Sequence, residues 1–399
     1  MEKPGHVSTE INTLMNALSD IVAQPAPVAS ATSMRCTVAD LRRAVSLASS
    51  VVERRNTIPV LGCIAIYPQA DKLTICGTDL DQMLSVECPA QCVEAFGAFT
   101  LEARQLAMLL RGAEAKETVT IQREPEDKFG DVLSIQIGPL TLRRRQLAPI
   151  ADFPAMAELP DAPEIRTIAE GSLRKMLDTC RPCISTEETR YYLNGIYLHA
   201  ICGKLTAVAT DGHRLAICRS EQDWPLPAHI LPTRAVATLA NLLAAGGDKE
   251  VRVAGWTAPR MRFQGDGWTL TARMIDGTFP DYDRVVPKPG NDSYKARAVL
   301  APALFRRIPP GITGPFSSAA KLDLAAKTMS VISHSDGLEA SLPIEAEGKI
   351  SIGFNIRYLH SFTQAYGTIH LQINGSGDAA IVLSEDPEFL GVLMPMRVA

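Results

Sequence analysis

The feature that most constrains this chain is a stretch that recurs. Leu205 to Ser220 reads LTAVATDGHRLAICRS: an apolar run, then Thr210, Asp211 and Gly212, then a second apolar run from Leu215 to Cys218. An Asp-Gly pair between two apolar runs is a strong hairpin signal. Leu73 to Val86 and Met329 to Ile344 repeat the arrangement around Asp79 and Asp336. Successive turns lie roughly 130 residues apart, a domain-sized interval and far longer than a solenoid repeat. With 399 residues, more than one core comfortably holds, the repeat selects three domains. The expected boundaries are 34–155, 156–285 and 286–399, after an N-terminal extension over 1–33.

Each copy predicts the same order of elements. Helices are expected at Val38 to Val52 and Leu101 to Ala115, at Ser172 to Ile184 and Thr233 to Ala245, and at Pro302 to Ile308 and Asn355 to Tyr366. The fifth must be short, because Pro309 and Pro310 cannot continue it cheaply. Two helices among many short alternating strands make an α+β unit, an antiparallel sheet with helices on one face. Serial like units can pair their sheet edges end to end, and if that contact closes by rotation the product is a ring.

Hydrophobic residues at 46% and charged residues at 21% are ordinary for a globular protein and exclude a fibrous or disordered class. Every apolar run is shorter than the ~18 residues of a membrane span, and none follows a basic start as a signal peptide does. A cytoplasmic protein with no membrane partner is the expectation. The nine cysteines are odd in number and mostly sit in apolar strands, as small core residues of a reducing compartment do. Cys180-Arg-Pro-Cys183 has redox or half-zinc spacing, but no second such pair completes a metal set. No metal and no cofactor is expected.

The extension carries Ile11, Leu14, Met15, Leu18, Ile21 and Val22 at helical spacing, then an Ala, Pro and Ser-rich linker to Ser33. It reads as a flexible tail before a start at Met34, or as a tethered amphipathic helix that docks on a partner or on the body of the protein.

The net charge is −4, yet cations recur on the predicted helices: Arg42, Arg43, Arg104, Arg111, Arg174, Lys175, Arg181, Arg234, Arg306, Arg307 and Arg357. Singly, each suits a solvated helix face. As a set on corresponding elements they would line one surface with positive potential, which suits the phosphate backbone of duplex DNA bound without regard to sequence.

Four strings carry a resemblance over Met34 to Val398: Arg190-Tyr-Tyr-Leu-Asn-Gly195, Ala209-Thr-Asp-Gly-His-Arg-Leu-Ala216, Phe279-Pro-Asp-Tyr-Asp-Arg-Val-Val-Pro-Lys288 and Met394-Pro-Met-Arg397. In this order they resemble the bacterial DNA polymerase III beta subunit, the sliding clamp family. The resemblance implies three similar domains and a head-to-tail homodimer. Its sheets lie outside, and its helices line a hole around duplex DNA. It implies no catalysis: the ring tethers the replicative polymerase catalytic subunit by topology, is opened by a separate clamp loader, and receives other clamp-motif proteins. It also implies a peptide pocket comprising Leu193, Thr210, Gly212, His213, Arg214, Leu215, Pro280, Arg284, Val285, Val392, Met394, Pro395, Met396 and Arg397, with Val398 where the family often has Leu. Leu, Val, Pro and adaptable Met suit an extended apolar segment. Arg55 matches a family position that touches duplex DNA. The loop Ser185-Thr-Glu-Glu-Thr189 departs from the family with two carboxylates, which weaken attraction to phosphate there. Arg306 to Phe316 departs most, at the helix that the family packs at the dimer junction. Arg143, Arg144 and Arg145 are expected to face Glu339, Glu345 and Glu347 across that junction.

Three other readings compete. Asp211 and His213 in a metal-dependent nuclease would need a third ligand in register, and no P-loop, dinucleotide or nucleophile-elbow glycine pattern appears. A monomeric interaction scaffold would follow from the broken third-domain helix. A divergent second clamp serving a specialised polymerase would account for that helix and for the extension.

Overall fold

A computed structural model describes residues 33–53, 57–92, 97–127, 130–145, 148–154, 164–255, 260–288, 294–308, 319–333 and 338–397. Residues 1–32 of the N-terminal extension, Arg55, Val398 and the segment 309–318 lie outside the described residues. Those described divide into two compact units. The first draws on residues within 1–49, 54–75 and 87–153, the second on 50–53, 76–86 and 154–399.

In the first unit an antiparallel sheet runs in the order Gln91–Cys92, Ser33–Thr37, Thr118–Asp127, Gly130–Ile137, Leu140–Arg145. Helix α1 (Val38–Ala48) starts where the Thr37 hydroxyl accepts from Asp40 N at 3.1 Å, and buries Leu41, Ala44 and Val45. Its neighbour α2 is Ala103–Arg111, burying Leu106 and Leu110. The spacing of these apolar residues is the helical one, so each helix buries one apolar stripe. Every residue of the outer strand Leu140–Arg145 except Arg144 is exposed, Leu140 and Leu142 included.

The second unit holds α3 (Glu170–Cys180), α4 (Thr233–Leu242), α5 (Pro302–Phe305) and α6 (Ile356–Tyr366). Its nine-stranded antiparallel sheet joins distant parts of the sequence. The order is His229–Pro232, Gly195–Ile201, Lys204–Thr210, Arg214–Asp223, Phe389–Leu393, Ala380–Leu383, Ile369–Ile373, Ala296–Leu300, Glu345–Glu347. The decisive pairing sets Arg214 opposite Leu393 and Leu215 opposite Val392. A second pairing of the same kind sets Gln82–Val86 against Trp268–Ala272. Four further strands, Leu338–Pro343, Thr328–Ser333, Ala319–Asp323 and Ser351–Asn355, form a separate sheet.

The α+β class with antiparallel sheets is as expected, with shorter helices. α1 stops at Ala48 where the sequence suggests Val52, and α2 spans nine residues inside the predicted Leu101 to Ala115. α3 gives way at Cys180 to a 3₁₀ turn containing Pro182. α5 has only four residues and ends at Phe305. Among the described residues no helix is long and apolar enough to cross a membrane.

Candidate peptide-docking cleft

The hairpin at Thr210 to Arg214 shows why its residue types are needed. Asp211 Oδ1 accepts from His213 N at 2.9 Å and from Arg214 N at 3.0 Å, while Thr210 Oγ1 donates to Arg214 O at 2.8 Å. Gly212 takes φ +88°, and a Cβ there would sit 2.5 Å from Arg190 Nη1. Glycine thus serves both the left-handed turn and the close approach of Arg190. Asp211 Oδ2 accepts from Arg214 Nε at 2.9 Å; Arg214 also donates to Ser361 Oγ at 3.0 Å and lies 4.4 Å over the Tyr358 ring. The carboxylate proposed for a nuclease metal is therefore occupied by the turn and its arginine. Among the described residues no three His, Cys, Asp or Glu side chains gather to hold a metal ion.

Beside this turn opens a cleft of about 290 Å³. Its floor continues a core cluster in which Leu193, Leu215, Phe279 and Val392 are buried. Of the residues that the resemblance assigns, Leu193, Thr210, Gly212, His213, Arg214, Leu215, Pro280, Val285, Val392 and Met394 line the cleft. Val285 and Met394 are exposed at its mouth, 52% and 44%, so apolar surface stands ready for a ligand.

Arg284, Pro395, Met396 and Arg397 do not line it. Arg284 is exposed and ion-paired with Asp281 at 2.7 Å. Met396 turns its backbone away to donate to Gly353 O at 2.8 Å, which redirects the chain after Met394. Four lining residues were not foreseen: Arg190, Tyr192, Asp281 and Tyr282. Arg190 sits at a kink in the 3₁₀ turn Glu188–Leu193 and grips Glu187 through Nε at 2.7 Å and Nη2 at 2.5 Å. That hydrogen bond holds the Glu187 carboxyl below the usual carboxylate range. Tyr282 is held by His199, Nε2 to Oη 2.9 Å, and the His199 ring stacks on Tyr197, which stacks in turn on Phe279. Burial pushes the Tyr282 hydroxyl up to about 12 and lowers His199. The strings quoted from the sequence contain all four residues, so the signal was present without the geometry.

The expected DNA-facing cations divide into two groups. Arg42 donates to Leu110 O and Ala113 O at 2.7 and 2.6 Å, and Arg174 donates to Ala240 O and, at 2.9 Å, to Leu243 O. These two correspond in the repeat, and both satisfy the open carbonyls at the end of the neighbouring helix. Arg43 reaches Glu87 O at 3.1 Å; Lys175 pairs with Asp386 and Glu388 at 2.8 and 2.6 Å; Arg234 pairs with Glu53 and Asp79 at 3.0 and 3.2 Å. Each of these five, expected to face phosphate, has a partner within the chain. Arg104, Arg111 and Arg181 are exposed on α2 and after α3 with no ion pair among the described residues. Arg357 is exposed on the first turn of α6, where its backbone N donates to Asn355 Oδ1. Within the chain, Arg143 pairs with Glu124, and Arg144 with Glu102 at 2.9 Å.

Repeated α+β layers with a cleft between the turn of one hairpin and the end of its pairing strand define the class, a repeat-built protein with an open apolar groove. The description "DNA polymerase III beta subunit, N-terminal domain" matches residues 32–136, and the corresponding central domain matches residues 167–281. The Caulobacter vibrioides beta sliding clamp is 32% identical over 90% of this chain and 98% of its own length; that of Pseudomonas aeruginosa is 28% identical over the same shares. The crystal structure of the Caulobacter crescentus clamp superposes with a TM-score of 0.82 at 31% identity, covering 92% of this chain and 99% of its own. A Bartonella birtlesii clamp bound to griselimycin superposes with a TM-score of 0.83 at 28% identity, covering 92% and 100%. The chain belongs to the DNA polymerase III beta-subunit family, the beta sliding clamps.

Proposed function

We propose that the chain works as a DNA sliding clamp, a processivity factor that encircles duplex DNA and tethers a replicative polymerase. The cleft beside Gly212 takes the short apolar motif of the polymerase catalytic subunit and of other replication or repair proteins. The protein acts as a non-catalytic subunit of the cytoplasmic replication machinery and is loaded by a separate clamp loader. In this reading the domains are 34–155, 156–285 and 286–399, two chains close head to tail, and the exposed edge strand Leu140–Arg145 supports such pairing.

The observation that carries the peptide role is the joining of Leu215, Val392 and Met394 in one apolar cleft with Arg190 and His213 at its rim. Calorimetry with a polymerase-tail peptide tests it. Met394→Asp should abolish binding with the thermal transition unchanged, and unaltered affinity would overturn the assignment. For DNA, Arg104, Arg111 and Arg181 are the contacts proposed. The four-residue α5 supports a second reading, a monomeric scaffold for a specialised polymerase. Light scattering at micromolar concentration separates the two, a dimer supporting the ring and a monomer the scaffold.

A further inference from the structure

The hairpin turn of the cleft has a counterpart inside the second unit. Thr78 Oγ1 donates to Gln82 O at 2.8 Å, as Thr210 does to Arg214 O. Leu80 N and Gly212 N donate back to those hydroxyls at 3.0 and 3.1 Å. Asp79 Oδ1 accepts from Asp81 N and Gln82 N at 3.2 and 2.8 Å, as Asp211 Oδ1 does from His213 and Arg214. Each turn is then bound to a helix: Gln82 Oε1 accepts from Thr238, the sixth residue of α4, and Arg214 donates to Ser361, the sixth of α6. Each receives a strand end, Arg273 N on Asp81 O at 2.7 Å and Met394 N on His213 O at 2.8 Å. The two assemblies are the same device built twice.

The second copy also has a cleft, of about 350 Å³, walled by Ile275, Met274 and Tyr191. Its charge is reversed. Arg190 and Arg214 against Asp281 leave the first cleft with a positive lining. In the second, the lining carries Asp79, Asp81 and Asp276 against Arg234 and Arg273. Beside it Leu80 is 56% exposed in a left-handed conformation, φ +77°, where the first turn has glycine. Leu80 thus adds exposed apolar surface at this turn. The clefts share a wall: Tyr191 lines the second and Tyr192 the first, their rings edge to face at 5.8 Å.

We infer that the second cleft is a docking groove for a cationic, apolar segment of a protein partner, with Lys or Arg beside a large apolar side chain. The apolar residue seats on Met274, Ile275 and Tyr191; the cation meets Asp81 and Asp276. Continuity with the first cleft lets one partner engage both, each segment sorted by rim charge. The inference rests on reading the first cleft as a peptide groove, so the experiment closes that cleft to let the two readings fail separately.

The full chain carrying Met394→Lys is titrated by ligand-observed NMR with two acetylated, amidated tetrapeptides, Lys-Leu-Phe-Arg and its charge-reversed form Glu-Leu-Phe-Asp. The cationic peptide should bind saturably in the millimolar range and the anionic one roughly tenfold more weakly. Adding Asp81→Lys and Asp276→Lys should weaken the cationic peptide by roughly tenfold or more. The isosteric pair Asp81→Asn and Asp276→Asn, which preserves the shape of the turn, should weaken it by about threefold. On a chain with Met394 intact, both pairs should leave polymerase-tail peptide binding unchanged. Absence of saturable binding, or equal affinity for the charge-reversed chain, overturns the inference.

Discussion

Met394 N donates to His213 O at 2.8 Å, and this bond fixes the last strand of the chain to the turn of a hairpin some 180 residues earlier. The cleft exists because of that junction: Leu215 and Val392, opposite each other in the register, supply its floor, and Met394 supplies the exposed lip.

The two kinds of residue should separate on mutation. Leu215 is 2% exposed, so Leu215→Ala opens a core cavity and should cost about 2–5 kcal/mol of stability along with peptide affinity. Met394→Ala removes exposed surface and should stay within about 0.5 kcal/mol of the parent while weakening the peptide. Denaturant melts paired with calorimetry check both.

Arg174 and Arg104 should also separate. Arg174→Ala leaves the carbonyls of Ala240 and Leu243 without their charged donor and should destabilise by about 1.5–3 kcal/mol. The salt slope of DNA binding should not move. Arg104→Ala and Arg181→Ala should leave the melt unchanged and reduce that slope by about 1 each, measured by DNA affinity across a salt series.

That division was beyond reading from sequence, and the reason is physical. Helical spacing places a cation on the outer face of α1 or α3, but the carbonyls it reaches belong to a helix about 70 residues later, and no local pattern encodes that distance. The turns were legible because they are local: Asp211 and Gly212 meet a demand of their own four residues. The apolar walls at Leu215 and Val392 are legible as strands; the resemblance implies that they share a pocket, and their pairing shows only in the structure. Tyr192 and Tyr282 were missed because a 3₁₀ turn has no lasting periodicity to reveal which side a residue faces. Arg284 and Met396 are not among the lining residues: Arg284 pairs with Asp281 at the cleft's edge, and the Met396 backbone bonds Gly353.

Stability should fall on acidification through His199. Burial holds this imidazole below its ordinary 6.5, an effect partly offset by a hydrogen bond to the Ala200 backbone. As pH drops below 6.5 the unfolded chain takes up the proton first, so folding loses stability until the folded value is also passed. His199→Gln should flatten that part of the profile in melts recorded between pH 7.5 and about 5. An unchanged slope would assign the acid sensitivity to other groups.

Leu80 and Gly212 occupy the same place in the two turns with φ of +77° and +88°, so exchanging their residue types should act in opposite directions. Leu80→Gly relieves a left-handed leucine, worth about 1–2 kcal/mol, against a backbone-entropy cost of about 0.5–1 kcal/mol. The melting temperature should hold or rise slightly. Gly212→Ala adds that strain and also sets a Cβ 2.5 Å from Arg190 Nη1. The flexible guanidinium shifts away, its bidentate grip on Glu187 is lost, and the rim of the first cleft is disturbed. Gly212→Ala should therefore melt lower and bind the polymerase-tail peptide more weakly, while Leu80→Gly should leave that peptide untouched. If Leu80→Gly destabilises the chain, the leucine contributes folding contacts that its exposure does not reveal.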